Sequence, residues 1–389
     1  MIKVLMAAPA VSSEPTGLYA RINDLLQYHR NEGVQDIRIH VAAISWDGHG
    51  TTDWANERIY APSGSSVIRF VQMLLNSFRN RDVDIIHMSN MLPFSSWIFT
   101  LIATNKPLLV GPNNTGNLFP ESLLTDEALK LIKKEKGRTL RRWRLYGERL
   151  ERLKLYTMAN HPGRPTTFIA QSDFARQILQ ERGIHSSDIS ILPSGVNTDI
   201  FNPSDGTAEW PPPTSGLKLL YIGKSTRRKG IELLAKSVAT LSNDDDSETP
   251  SVVVVGSDHP PDFLVGHPGL KHMTFAGRRP RSELASFYRA ADAFVTPSYY
   301  EAEPTVMIES LACGTPVMAT DSKPFTEIGD SRSCCFFEQG NSESLTKALR
   351  HFAANKDEYT RFANQQVSAY DIQSTYEHLI GIYRQHAED

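Results

Sequence analysis

Cysteine is scarce in this chain. It has three in 389 residues, two of them adjacent at Cys334 and Cys335. Neighbouring thiols cannot staple a framework, so a disulfide scaffold is excluded and a reducing cytoplasm is the expected location. No Cys or His cluster shows zinc-ligand spacing, and no run of about 18 apolar residues is present to form a transmembrane helix. Residues 1–6 are too short and too soon interrupted for a leader peptide and read as a first buried strand. A P-loop is excluded as well. Gly223-Lys224-Ser225 mimics its end, but Lys218 stands where its first glycine must be.

Apolar residues make up 40% of the chain, a soluble globular proportion, and 389 residues exceed what one core usually serves. Short continuous apolar runs alternate with amphipathic stretches throughout. Strands are expected at 3–8, 37–44, 84–88, 107–110, 167–171 and 189–192, then at 218–223, 251–255, 272–276, 293–296, 316–319 and 333–337. Continuous rather than alternating apolar runs indicate parallel strands covered on both faces. The rhythm therefore predicts an α/β protein with two Rossmann-like, doubly wound domains, whose ligands bind beyond the carboxyl ends of the strands. Pro203, Pro211, Pro212, Pro213 and Gly216 mark a linker. The expected organisation is 1–200, linker 201–216, 217–369, and a helix at 370–389 with Ile372, Tyr376, Leu379, Ile380 and Tyr383 on one stripe.

The run Glu301-Ala302-Glu303-Pro304-Thr305-Val306-Met307-Ile308-Glu309 carries the most chemistry. Pro304 suits a first helical position, where its missing N–H has no intrahelical partner, and this leaves the amides of Thr305 and Val306 to face an anion. Glu309 follows roughly 7–8 Å further along the helix. A ligand spanning both acids would carry hydroxyls at each end and phosphates between, as a nucleotide-sugar does.

With Gly314-Thr315-Pro316-Val317 downstream, the two glutamates at this spacing closely resemble glycosyltransferase family 4, the group 1 glycosyltransferases. The resemblance covers most of the chain and is strongest from 167 to 320. It implies a GT-B fold with two domains facing a cleft, a C-terminal helix returning to the first domain, and retaining transfer of a hexose-type sugar from a UDP- or GDP-sugar. The acceptor would be a glycan or a lipid-linked molecule. Glu301 would contact the transferred sugar and Glu309 the ribose. Gly223-Lys224-Ser225-Thr226-Arg227-Arg228-Lys229-Gly230 resembles the family's diphosphate-gripping loop, with Lys224 where arginine is usual. Lysine supplies charge without the bidentate fork, so Arg227 or Arg228 is expected to supplement it. Gly17 resembles the glycine loop that approaches the donor from the first domain, and Arg278 the loop along the base. Asn113, followed by Asn114, occupies the place of a histidine usual in the family. An amide there binds a sugar hydroxyl but transfers no proton.

Other features are read as structural. His87 ends a core strand. The Asp-x-Asp pairs at 82 and 84 and at 244 and 246 lack a phosphate partner, and no cofactor or metal is expected. Net charge is −3, yet 130–154 holds eleven Lys or Arg against three Glu, interleaved with Leu140, Trp143, Leu150 and Leu153. Such a stretch can lie on an anionic membrane surface or pack as a solvated helix. Without a recognisable motif, a nucleic-acid partner is not expected. Two competing readings are a GT-B epimerase or phosphorylase and a non-catalytic nucleotide-sugar-binding subunit of a glycan assembly complex.

Overall fold

The structure, a computed structural model, describes residues 1–11, 18–46, 58–60, 83–89, 106–112, 126, 129–131, 149–150, 152–204, 206–210, 216–243, 249–301, 303–363 and 371–388. The chain divides into two compact units. One comprises 1–120, 138–195 and 370–389, the other 121–137 and 196–369.

The first unit holds a seven-stranded sheet in the order β3-β2-β1-β4-β5-β6-β7. Its strands are β1 (Ile2–Val11), β2 (Ile37–Trp46), β3 (Arg58–Tyr60), β4 (Ile85–Met88), β5 (Leu108–Val110), β6 (Thr166–Ala170) and β7 (Ile189–Ile191). Every neighbouring pair is parallel. The short β3 lies in a stretch with no apolar run, and pairing with Val41–Ala43 of β2 places it at the edge. Helix α1 (Leu18–Glu32) follows β1, and α2 (Asp173–Glu181) follows β6. Ser172 starts α2 by accepting the Ala175 N–H at 3.1 Å, satisfying one of the donors a helix start leaves over.

Helix α8 (Ile372–Glu388) completes the core of this unit, with Tyr376, Leu379, Ile380 and Tyr383 buried against Ile22 and Leu26 of α1 and against strand residues. Polar side chains pin the same face. Tyr376 Oη lies 2.6 Å from His29 Nδ1, Tyr383 Oη 2.6 Å from His87 Nδ1, and His386 Nε2 2.7 Å from Thr167 Oγ1. His87 Nε2 sits 2.6 Å from the Gly111 carbonyl, which can only accept. The ring therefore donates from Nε2 and accepts the Tyr383 hydroxyl at Nδ1. Asp84 is structural too: it accepts the Lys3 N–H at 2.8 Å. Asp82, Asp244 and Asp246 lie outside the described residues.

The second unit is a six-stranded parallel sheet, β10-β9-β8-β11-β12-β13. Its strands are β8 (Lys218–Ile222), β9 (Ser251–Val255), β10 (Met273–Gly277), β11 (Ala293–Thr296), β12 (Val317–Thr320) and β13 (Cys334–Phe337). β9, β11 and β12 are buried along their whole length, as strands covered on both faces must be. The helices are α3 (Ile231–Ser242), α4 (Arg281–Ala290), α5 (Thr305–Ala312), α6 (Phe325–Ile328) and α7 (Ser342–Ala363). The order reverses direction between β8 and β11, so the loops leaving these two strands flank the switch point where such sheets bind ligands.

Residues 201–204 and 206–210 of the stretch read as a linker are docked on this unit. Phe201 is fully buried with its ring 6.2 Å from that of Tyr288, and Arg289 donates to the Asn202 carbonyl at 2.9 Å. Trp210 Nε1 donates to Ser251 Oγ at 2.7 Å. Prolines rule out a helix there without ruling out packing.

Candidate functional site

Three neighbouring strands of the second unit end in glycines with positive φ: Gly223 at +144°, Gly256 at +114° and Gly277 at +73°. A Cβ on Gly256 would lie 2.7 Å from the Gly223 carbonyl oxygen, so the backbones approach where a side chain would keep them apart. Beyond Gly223 the basic loop is held by main-chain bonds. The Lys224 carbonyl accepts from the Thr226 N–H at 2.8 Å and from the Tyr221 hydroxyl at 3.0 Å, and Ser225 N–H donates to Ser257 Oγ at 3.1 Å. Lys224 itself is exposed.

This loop meets the one that leaves β11. Tyr299 N–H donates to the Arg228 carbonyl at 2.9 Å, and Gly230 lies against the Pro297 carbonyl. Two cations then converge on one acid. Lys229 Nζ stands 2.6 Å and Arg228 Nη1 3.2 Å from Glu301 Oε1. Burial alone would push the Glu301 carboxyl up. Lys229, Arg228 and a Ser298 hydrogen bond outweigh it and hold the carboxyl below its ordinary value. Arg227 is engaged elsewhere, 3.1 Å from Glu232 and over the Phe263 ring at 4.1 Å.

Glu309 lies on α5 and is buried. Arg281 donates to its Oε1 from Nε at 3.2 Å and Nη2 at 3.0 Å, with its guanidinium 4.9 Å from the centroid of the Phe201 ring. The Tyr288 hydroxyl lies 3.2 Å from Glu309 Oε2 and 3.0 Å from the Val306 carbonyl. Burial first, then the Glu309 charge, pushes that hydroxyl well above its ordinary pKa, so it remains a neutral donor.

The helix start differs from expectation. Pro304 is the N-cap rather than the first helical residue, and Thr305 N–H turns back to the Glu303 carbonyl at 3.1 Å. Thr305 therefore does not present a free amide in this structure. A proline that cannot donate leaves the next N–H to close the turn. Arg278 is exposed, one residue beyond Gly277. Gly17, Asn113 and Asn114 lie outside the described residues. The fold thus brings Gly223, Lys229 and Glu301 together at the switch point, with Glu309 about one turn into the following helix. Arg281 and Tyr288 were not legible as partners of Glu309, since nothing in a sequence shows a contact across 28 or 21 positions.

Comparison with known proteins bears on what this arrangement is. The model described as "Glycosyl transferases group 1" matches residues 207–367, and that of "Glycosyltransferase Family 4" matches 22–200. The chain belongs to the group 1 glycosyltransferases. Its relatives include D-inositol 3-phosphate glycosyltransferases of Nocardiopsis dassonvillei, 28% identical over 54% of each chain, and of Mycobacteroides abscessus, 27% identical over 54% of this chain and 49% of that one. The chain spans about half the length of these relatives. Among solved structures, sucrose-phosphate synthase from Thermosynechococcus elongatus has a TM-score of 0.74 at 18% identity, covering 99% of both chains. The lipopolysaccharide-biosynthesis glycosyltransferase WaaG has a TM-score of 0.67 at 19% identity, covering 98% of this chain and 99% of its own. Anabaena HepE in complex with UDP-glucose has a TM-score of 0.68 at 12% identity, covering 99% of this chain and all of its own, 100%. The architecture is GT-B: two parallel-sheet α/β units of the kind these neighbours share.

Proposed function

We propose that the protein is a retaining glycosyltransferase that moves a hexose-type sugar from a UDP- or GDP-sugar to a glycan or lipid-linked acceptor. The observation that carries this reading is the meeting of Lys229 and Glu301 at 2.6 Å on the loops flanking the switch point, with Glu309 on the helix that follows. Nucleotide-sugar chemistry is supported by HepE, a fold neighbour whose structure contains UDP-glucose.

Breaking the bond between sugar and phosphate builds negative charge on the leaving diphosphate and positive charge on the ring. Preorganised donors aimed at the first charge supply the largest catalytic contribution. In this reading Lys224 and Lys229 face the diphosphate, and the Val306 amide lies at the start of the helix beside it. Glu301 binds sugar hydroxyls and favours the cationic ring. Glu309, oriented by Arg281 and Tyr288, binds the ribose. Lys224 and Lys229 carry the compensating charge, so the reading assigns no metal and no cofactor to the step. Arg278 lies along the base, while Gly17, Asn113 and Asn114 are assigned to the donor and acceptor from the resemblance alone. The acceptor belongs to the first unit, and the basic, apolar-striped stretch 130–154 is the surface that meets an anionic membrane. Its described end exposes Leu150 and Leu153 beside Arg149 and Arg152, and just beyond it Tyr156 is exposed while Leu155 and Met158 are buried.

A thermal-shift screen of UDP- and GDP-sugars tests the reading. A donor at a hundred times its Kd stabilises the protein by about 2.7 kcal/mol. Glu309→Ala removes that shift, whereas Glu301→Ala keeps it and lowers turnover by about 100-fold or more. Full transfer by both variants, or no shift with any nucleotide-sugar, would show the assignment to be wrong.

A further inference from the structure

The two cations that meet at Glu301 Oε1 are held differently. Arg228 Nη1 also donates to the Tyr300 carbonyl at 2.9 Å, and its guanidinium lies 5.3 Å from the centroid of the Tyr300 ring. Its own carbonyl accepts the Tyr299 N–H at 2.9 Å, so side chain and main chain are both tied to the loop that carries Glu301. Lys229 reaches the same oxygen at the end of a flexible four-carbon stem, a geometry that allows the ammonium to swing away.

We propose that Arg228 is a positioning residue, which keeps Glu301 compensated and aimed when Lys229 leaves it for the donor diphosphate. Lys229 thus exchanges the Glu301 carboxylate for phosphate when a diphosphate binds. The inference rests on the donor-site reading above, and charge balance supports it. In the loaded site Lys224 and Lys229 face a doubly charged diphosphate, and Arg228 faces Glu301. Every charge then has a partner. Without Arg228, the departure of Lys229 strands a carboxylate that is only 13% exposed, and that penalty falls on ligand binding.

Nucleoside diphosphates separate this role from direct phosphate contact, because they lack the sugar that Glu301 would touch. Titration of the full chain with UDP and with GDP by calorimetry gives the affinities. Arg228→Gln weakens binding of the preferred diphosphate about tenfold or more. Arg228→Lys, which restores charge without the fork, falls between it and the wild type. Glu301→Gln alone binds at least as tightly as the wild type, because Lys229 is released beforehand. The double variant Arg228→Gln, Glu301→Gln recovers to within about threefold of Glu301→Gln, since no carboxylate remains to be stranded. This recovery also shows that the Arg228→Gln loss is not misfolding. A double variant as weak as Arg228→Gln would overturn the proposal and place Arg228 on the diphosphate itself. Unchanged affinity in Arg228→Gln would also overturn it. If the wild type bound neither UDP nor GDP, the donor-site reading itself would fail and take this inference with it.

Discussion

Gly230 occupies a position where one added carbon is not tolerated. Its φ is +71°, and a Cβ there would strike the Pro297 carbonyl. Gly230→Ala would strain the backbone and push apart the two loops that hold Lys229 and Glu301. The expected result is a loss of about 1 kcal/mol or more in stability with weaker nucleotide binding, read from thermal unfolding and calorimetry. His87 sets a pH dependence of its own. Burial lowers its pKa from 6.5 to about 4, against a smaller opposing effect of its bond to the Gly111 carbonyl. Between those values the unfolded chain binds the proton and the folded one does not, so stability is present above 6.5 and lost as pH falls toward 4. The full window corresponds to about 3 kcal/mol. His87→Gln should flatten the wild-type dependence of melting temperature across this range, and an unchanged slope would remove His87 as its source.

At the scale of elements, α8 joins the first unit through both apolar and polar contacts. Tyr383→Phe keeps the ring but takes the donor from buried His87 Nδ1, which is expected to cost about 1–3 kcal/mol by chemical denaturation. The stripe behind this helix was legible, because Ile372, Tyr376, Leu379, Ile380 and Tyr383 recur at helical spacing and are all buried. The parallel strands were legible for a similar reason, most being continuous apolar runs such as Ser251–Val255. The edge strand β3 was not, since its place depends on its pairing with β2 rather than on its own residues. Nor was the turn at Pro304, where Thr305 N–H closes back on Glu303 instead of facing a ligand. At the site, the spacing of Glu301 and Glu309 pointed to an acid at each end. That Arg228 and Lys229 share one oxygen of Glu301, or that Arg281 holds Glu309, depends on tertiary packing across 73 and 28 positions.

For the whole molecule, charge is segregated: a net −3 divides into +8 over 130–154 and −11 elsewhere. If the basic stretch meets a bilayer, the protein should co-sediment with vesicles containing anionic phosphatidylglycerol and not with neutral phosphatidylcholine vesicles. Leu153→Glu with Tyr156→Glu would abolish that binding, and added salt would weaken it. No binding to either vesicle type would argue for a solvated helix instead. The first unit also draws its core from segments that the second unit separates in sequence. During synthesis, residues 196–369 are all made before α8 appears, so the second sheet can close while the first still waits for Tyr376, Leu379 and Tyr383. The half of the protein begun first is therefore the half finished last, and until then its α1 and β1 faces lack the apolar cover that α8 supplies.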